Sequence, residues 1–330
     1  MRLERLGWIC VLLCGFADAA SARELFISNV KGDDSADGSR PDSTVNGGPV
    51  RTIGRALQVA RPGDQLIIDN TGVPYRESLS LSAANHSGTS VRPFTIRGNG
   101  AVIDGTQPIA YKSWEAVRGQ LYRFRPANGG RLELFTFDGR PAPQVPVDVA
   151  SGKLPQLAAG QWCGHDGYIY LRLPDGKIPY NLQETPYLYA ALPVGITLYH
   201  VHDVRIVDLT IQGFRRDGVN VADGVRNVSL GGLILRGNGR CGLAVGGSSL
   251  VEADGCLLGN NGAAQVIVAG YSTLSLQHCE LLENPSPKLT RQGDRTRLYF
   301  NGRLTPMGAP LPANVEQPAA GTPPNPAGTN

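Results

Sequence analysis

The sequence predicts an all-β fold, a right-handed parallel β-helix with three short strands per coil, and three observations predict it. The first is a set of triplets, Ile196-Thr-Leu198, Val219-Asn-Val221, Leu243-Ala-Val245 and Val266-Ile-Val268, spaced by 23, 24 and 23 residues. The second is that two further series keep step with it. Val204-Arg-Ile206, Val228-Ser-Leu230, Val251-Glu-Ala253 and Leu274-Ser-Leu276 form one. Leu209-Thr-Ile211, Leu233-Ile-Leu235, Cys256-Leu-Leu258 and Cys279-Glu-Leu281 form the other. Three alternating strands locked to one period mean that each turn of chain stacks on the last, outer residues of a triplet inward and the middle one outward. The third is composition: 42 glycines against 7% aromatics suit short strands joined by tight turns.

Taken in chain order, residues 1–22 read as a secretory signal. Arg2 and Arg5 precede an apolar run from Leu6 to Phe16, and Ala20-Ser-Ala22 supplies small residues at a cleavage site. The expected location is therefore secreted or periplasmic. Residues 23–105 open with the strand Leu25-Phe-Ile27 and a compact helix, with Thr52 as cap and Ile53, Ala56, Leu57 and Ala60 on one face before Pro62-Gly63. Such a helix covers the open end of a solenoid, whose first coil otherwise exposes core. Short strands follow at Gln65–Asp69, Ser78–Leu81, Pro93–Arg97 and Ala101–Ile103.

Residues 106–185 break the rhythm and read as an inserted antiparallel β-subdomain. Its strands are Leu121–Phe124, Leu132–Phe137 and Tyr168–Leu173, with turns at Asp138-Gly139, Asp166-Gly167 and Asp175-Gly176. Trp162 and Tyr168 belong to its core. Residues 186–285 carry the coils. Asn238, Asn261 and Asn284 share one turn position, where side chains can pass hydrogen bonds from coil to coil. Cys256 and Cys279 share an inward position on adjacent coils and read as reduced, stacked core thiols. Past Pro285 the repeat stops, and residues 286–330 read as a cover segment leading into a proline-rich disordered tail.

These residues resemble the pectate-lyase-like superfamily of right-handed parallel β-helices. The opening is similar through Asp37-Gly38, Arg51-Thr-Ile-Gly-Arg-Ala-Leu57, Pro62-Gly-Asp64, Tyr75-Arg-Glu77 and Ile103-Asp-Gly105. The inserted segment resembles the β-subdomain of polysaccharide-active relatives through Gly160-Gln-Trp162 and Tyr168-Ile-Tyr-Leu-Arg-Leu-Pro-Asp-Gly176. The resemblance implies the fold and, broadly, action on polysaccharide. It carries over no catalytic residue, since the superfamily holds lyases, hydrolases, epimerases and proteins without chemistry.

The coil period brings one polar cluster together. His200 and Asp223 occupy equivalent turn positions, Thr197 and Asn220 stack outward, Arg215, Arg216 and Asp217 lead into the strand, and Arg240 stacks on Arg216. Arginines on one rim suit uronate carboxylates, which they grip by forked hydrogen bonds. His200 held by Asp223 is then the candidate general base for β-elimination. The competing readings are a non-catalytic glycan- or surface-binding module, with these groups as solvated turn residues, and a glycoside hydrolase. Hydrolysis needs two spaced carboxylates, and neither Asp217 with Asp223 nor Asp203 with Asp208 is aligned by the period. The outer face beyond Gly242 turns apolar (Ile234, Leu257, Ile267), which favours contact with a partner or the tail.

No cofactor is expected. Asp33, Asp34 and Asp37 before Gly38 weakly suggest calcium, but they lack the later Glu of an EF-hand and read better as a surface turn. A net charge of +3 without a basic run gives no reason to invoke nucleic acid, and no second apolar stretch spans a membrane.

Overall fold

The computed structural model describes residues 22–309 except 46, 128–131, 137, 149 and 283–285. The signal segment, the tail beyond residue 309 and Asn284 lie outside the described residues.

Among the described residues the chain is mostly β, with its long strands in parallel sheets. A six-stranded sheet runs Leu79–Ser82, Val194–Tyr199, Asp217–Asp223, Cys241–Val245, Ala264–Ala269 and Leu289–Gln292 in spatial order. A second, twelve-stranded sheet carries Glu24–Ile27, Gln65–Ile68, Phe94–Asp104, His202–Gln212, Arg226–Gly231, Leu250–Asp254, Thr273–Gln277 and Arg297–Phe300 side by side. The chain winds between the two, each strand of the six-stranded sheet being followed by one or two strands of the twelve-stranded one. The register is the one the sequence period demands: Ile196 beside Val219, Val219 beside Leu243, Leu243 beside Val266. Val204, Val228, Val251 and Leu274 are lateral neighbours in the same way, as are Ile211, Leu235, Leu258 and Leu281. All these side chains are buried in one continuous core. Each fully buried Val, Leu or Ile contributes about 1.5–3 kcal/mol, so the repeated triplets are what drives the stacking.

The helix Ile53–Val59 forms where its pattern places it. The Thr52 hydroxyl accepts from the Arg55 N–H, and Glu77 takes the orphan N–H groups of Ile53 and Gly54 at 2.9 and 2.8 Å. Ile53, Ala56 and Leu57 face the core.

Two antiparallel sheets lie between Asp104 and Ala191. One joins Glu115–Arg118, Leu121–Phe124, Tyr168–Arg172 and Trp162–His165; the other joins Thr106–Pro108, Leu188–Ala190 and Leu134–Phe135. Their apolar residues, Trp114, Trp162, Ile169 and Leu171 among them, form a core separate from the main one. The parallel sheet closes behind them: Phe94 pairs with Val204 and Ile103 with Ile211, across more than a hundred intervening residues.

Asn238 and Asn261 make the expected ladder. The Asn261 side-chain oxygen accepts from the backbone and side-chain N–H groups of Asn238, both at 3.0 Å, and Asn261 in turn donates to Leu235 O and Gln265 Oε1. The ladder needs glycine beside it: a Cβ at Gly218 would sit 2.9 Å from Asn238 Nδ2, and one at Gly242 would sit 3.0 Å from Asn261 Nδ2. Cys256 and Cys279 are buried and unbridged. One expectation needs correction. The repeat does not stop at residue 285, because Leu289 pairs in parallel with Val266 and Leu298 with Leu274, adding another turn. Arg303–Leu304 then turns back antiparallel onto Tyr299-Phe300. Lysine and arginine around Leu289 and Leu298 hide this turn from a hydropathy reading.

Candidate functional site

The polar cluster anticipated from the period is assembled at the backbone. His200 N donates to Asp223 O at 2.9 Å, and Arg240 N donates to Arg216 O at 2.6 Å. The side chains go elsewhere. His200, in the left-handed region at φ 55°, turns its ring edge-on to Tyr199. The Asp223 carboxylate accepts from the N–H and hydroxyl of Ser248, and that N–H bond, more than the nearby His200, holds it below the usual carboxylate range. Asp223 therefore does not orient His200.

Asp217 and Arg240 are a second correction. Arg240 grips Asp217 in a fork at 2.6 and 2.5 Å, and the Cys241 thiol donates to the same carboxylate at 3.2 Å. Asp217 is 0% exposed. Both residues hold adjacent rungs together instead of offering themselves to a ligand. Asn220 lies half-buried between Thr197 and Ala244 on the outer sheet face. Arg216 is exposed and Arg215 half-buried, its N–H bonded to Leu192 O.

A more open cation surface lies on the twelve-stranded sheet. Thr95 pairs with Arg205, and Arg97 with Val207, so Arg97 and Arg205 stand diagonally on neighbouring strands. They line a groove of about 1230 Å³ together with Arg92, Asp208 and Asp254. Arg92 is tied to Pro62 O at the rim, whereas Arg97 and Arg205 are exposed and make no side-chain hydrogen bond or ion pair among the described residues. From one strand spacing and two residue rises their backbones lie roughly 8 Å apart. Gly231 and Gly232 form the floor between Asp208 and Asp254, two rungs apart, or roughly 9–10 Å at the backbone.

The same strand that carries Arg205 begins with a histidine that is held by an aspartate. His202 Nδ1 lies 2.9 Å from Asp203 Oδ2, and the other Asp203 oxygen accepts from Asn227 on the next rung. The His202 bond, then the Asn227 bond, lowers the Asp203 pKa. Asp203 and Asn227 both take positive φ, 53° and 50°, which turns their side chains toward one another. The sequence reading missed His202, although Asp203 and Asn227 are one period apart and their alignment was available.

In the acidic cluster near the start, Asp33 and Asp37 bond within local turns and Asp34 reaches the backbone before the first helix. Asp34 accepts from the N–H groups of Arg51 and Thr52, Asp33 from Ser35, and Asp37 from Ser39. Trp162 is buried within the inserted sheets and donates to Ala142 O. No helix among the described residues is long and apolar enough to cross a membrane.

No protein-family model matches the chain, and no curated protein matches it in sequence. Solved structures do. A structure described as a glycoside hydrolase superposes with a TM-score of 0.54 at 14% identity, over 83% of this chain and 74% of that one. A complex of XylC with xylose gives 0.51 at 14% identity, over 84% of this chain and 62% of that one. The pectate lyase Pel9A gives 0.39 at 9% identity, over 85% and 62%. The chain thus spans less than two thirds of the XylC chain. At these identities the first two likenesses establish a shared fold and nothing about the reaction: this chain is an all-β protein with parallel sheets, built like those two structures.

Proposed function

We propose that the chain is an exported, right-handed parallel β-helix protein of the pectate-lyase-like kind that binds acidic polysaccharide along its long sheet and cleaves it by β-elimination. One observation carries the reading: Arg97 and Arg205 stand exposed in the same open groove, unpaired among the described residues. A guanidinium without a protein partner is free to fork onto a carboxylate, and two of them on adjacent rungs suit a polymer that repeats its charge. The shared fold with a glycoside hydrolase and with a xylose-binding structure supports the carbohydrate theme.

Neutralising a uronate carboxylate acidifies the C–H beside it. His202, three residues from Arg205 and roughly 10 Å away along the strand, is the general base we favour over His200, because Asp203 fixes its ring. The base takes the proton, the electron pair forms the double bond, and the glycosidic C–O bond breaks with the leaving oxygen protonated from solvent. A second reading, inverting hydrolysis, draws on Asp208 and Asp254, whose backbones stand roughly 9–10 Å apart and whose carboxyl groups would have to close to ~6.5–9.5 Å, with Asp254 already bonded to His278 Nδ1 at 2.8 Å.

The protein beginning at residue 23, incubated with polygalacturonate, alginate and glucuronan, separates these readings. New ultraviolet absorbance that disappears in His202→Ala supports elimination. Reducing ends without absorbance, lost in Asp208→Asn, move the assignment to hydrolysis. Retention on the polymer with neither signal leaves a binding module and refutes the chemistry.

A further inference from the structure

A second cleft, of about 290 Å³, lies where the inserted strands meet the parallel sheets. We propose that it binds a single neutral sugar unit, independently of the arginine groove. The size sits at the lower end of the ~300–1,000 Å³ usual for small-molecule sites. Its inner wall is rigid. Asp104, 3% exposed, accepts from Thr106 N at 2.7 Å and from Gln212 Nε2 at 3.1 Å, and Gln212 Oε1 accepts from Arg236 Nε at 2.9 Å. The outer wall is the turn carrying Asp138 and Arg140, paired at 3.1 Å, and Phe135 lends an apolar surface.

Two features choose the ligand class. Thr106 lines the cleft at 3% exposure, yet its hydroxyl has no hydrogen-bond partner among the described residues. A buried hydroxyl left unpaired is destabilising, and a ligand hydroxyl is what would satisfy it. The charged lining is balanced, Asp104 and Asp138 against Arg140 and Arg236. A free carboxylate would face two aspartates and a free ammonium two guanidiniums, whereas a sugar hydroxyl donates to one side and accepts from the other. Phe135, 5% exposed, closes one end of the cleft against Gly237, where a Cβ would lie 3.6 Å from its ring.

Titration calorimetry and saturation-transfer NMR with methyl xyloside, glucoside and galactoside, against sodium glucuronate and glucosamine, test this. The expected result is binding of at least one neutral glycoside and weaker binding of both charged probes. Thr106→Val should weaken that binding about tenfold, Asp138→Ala in the exposed turn should weaken it at least as much, and Arg97→Ala/Arg205→Ala should leave it unchanged. Absence of binding by every glycoside overturns the proposal. So does equal affinity in both cleft variants, preference for a charged probe, or loss in the groove variant.

Discussion

Replacing Arg240 with alanine leaves a buried carboxylate without its charged partner. Asp217 is fully buried and takes both forks of Arg240, while among the described residues the Cys241 thiol remains as its side-chain donor afterwards. Breaking a buried pair by removing one partner costs about 3–5 kcal/mol, most of it the uncompensated charge. The Arg240 side chain is itself 36% exposed, so water entering the vacated space places the expected loss at the lower end, about 3 kcal/mol. With a urea slope of about 3 kcal/mol per molar, the midpoint should fall by about 1 M. Asp217→Asn in the Arg240→Ala background should recover part of the loss, because no charge is then buried. Urea unfolding followed by circular dichroism measures all three variants. A loss below about 1 kcal/mol for Arg240→Ala, or a double variant less stable than the single one, refutes the assignment of the pair as a structural clamp.

Asn261→Ala removes bonds to Asn238, Leu235 and Gln265 from a buried position and should cost about 2–4 kcal/mol in the same assay, from several orphaned groups. Asp203 has a folded pKa below its unfolded value of ~3.9. The stability it adds is therefore present above that value and lost as pH falls through the lower folded pKa. Asp203→Asn should flatten the acid limb of a stability–pH curve below about pH 4, and an unaltered limb would count against the His202 and Asn227 contacts. The four cysteines of the described chain are buried and unbridged, and burial pushes the Cys163 thiol up to about 11. A thiol reagent at neutral pH should find none of them in the folded protein and all of them in denaturant.

The period, the inward triplets, the cap at Thr52 and the asparagine ladder were legible in the sequence because each is a local or strictly periodic signal. The backbone contacts between His200 and Asp223, and between Arg216 and Arg240, followed from that period alone. Where side chains point did not. Asp217 read as a rim residue because its burial depends on Arg240 folding over it from the next rung, a matter of rotamer. The groove was hidden for a different reason: Arg97 and Arg205 become neighbours only because the sheet closes behind the inserted strands, and no repeat spans that gap. The His202–Asp203 pair rests on a positive φ at an aspartate, which sequence permits without announcing.

Affinity for polygalacturonate at low and moderate salt, measured on the wild type and on Arg97→Ala/Arg205→Ala, bears most directly on the role of the long sheet. Binding should weaken as salt rises, fall at least about tenfold in the double variant, and have no counterpart with a neutral polymer of equal length. Undiminished affinity in the double variant, or equal retention of the neutral polymer, would contradict that role.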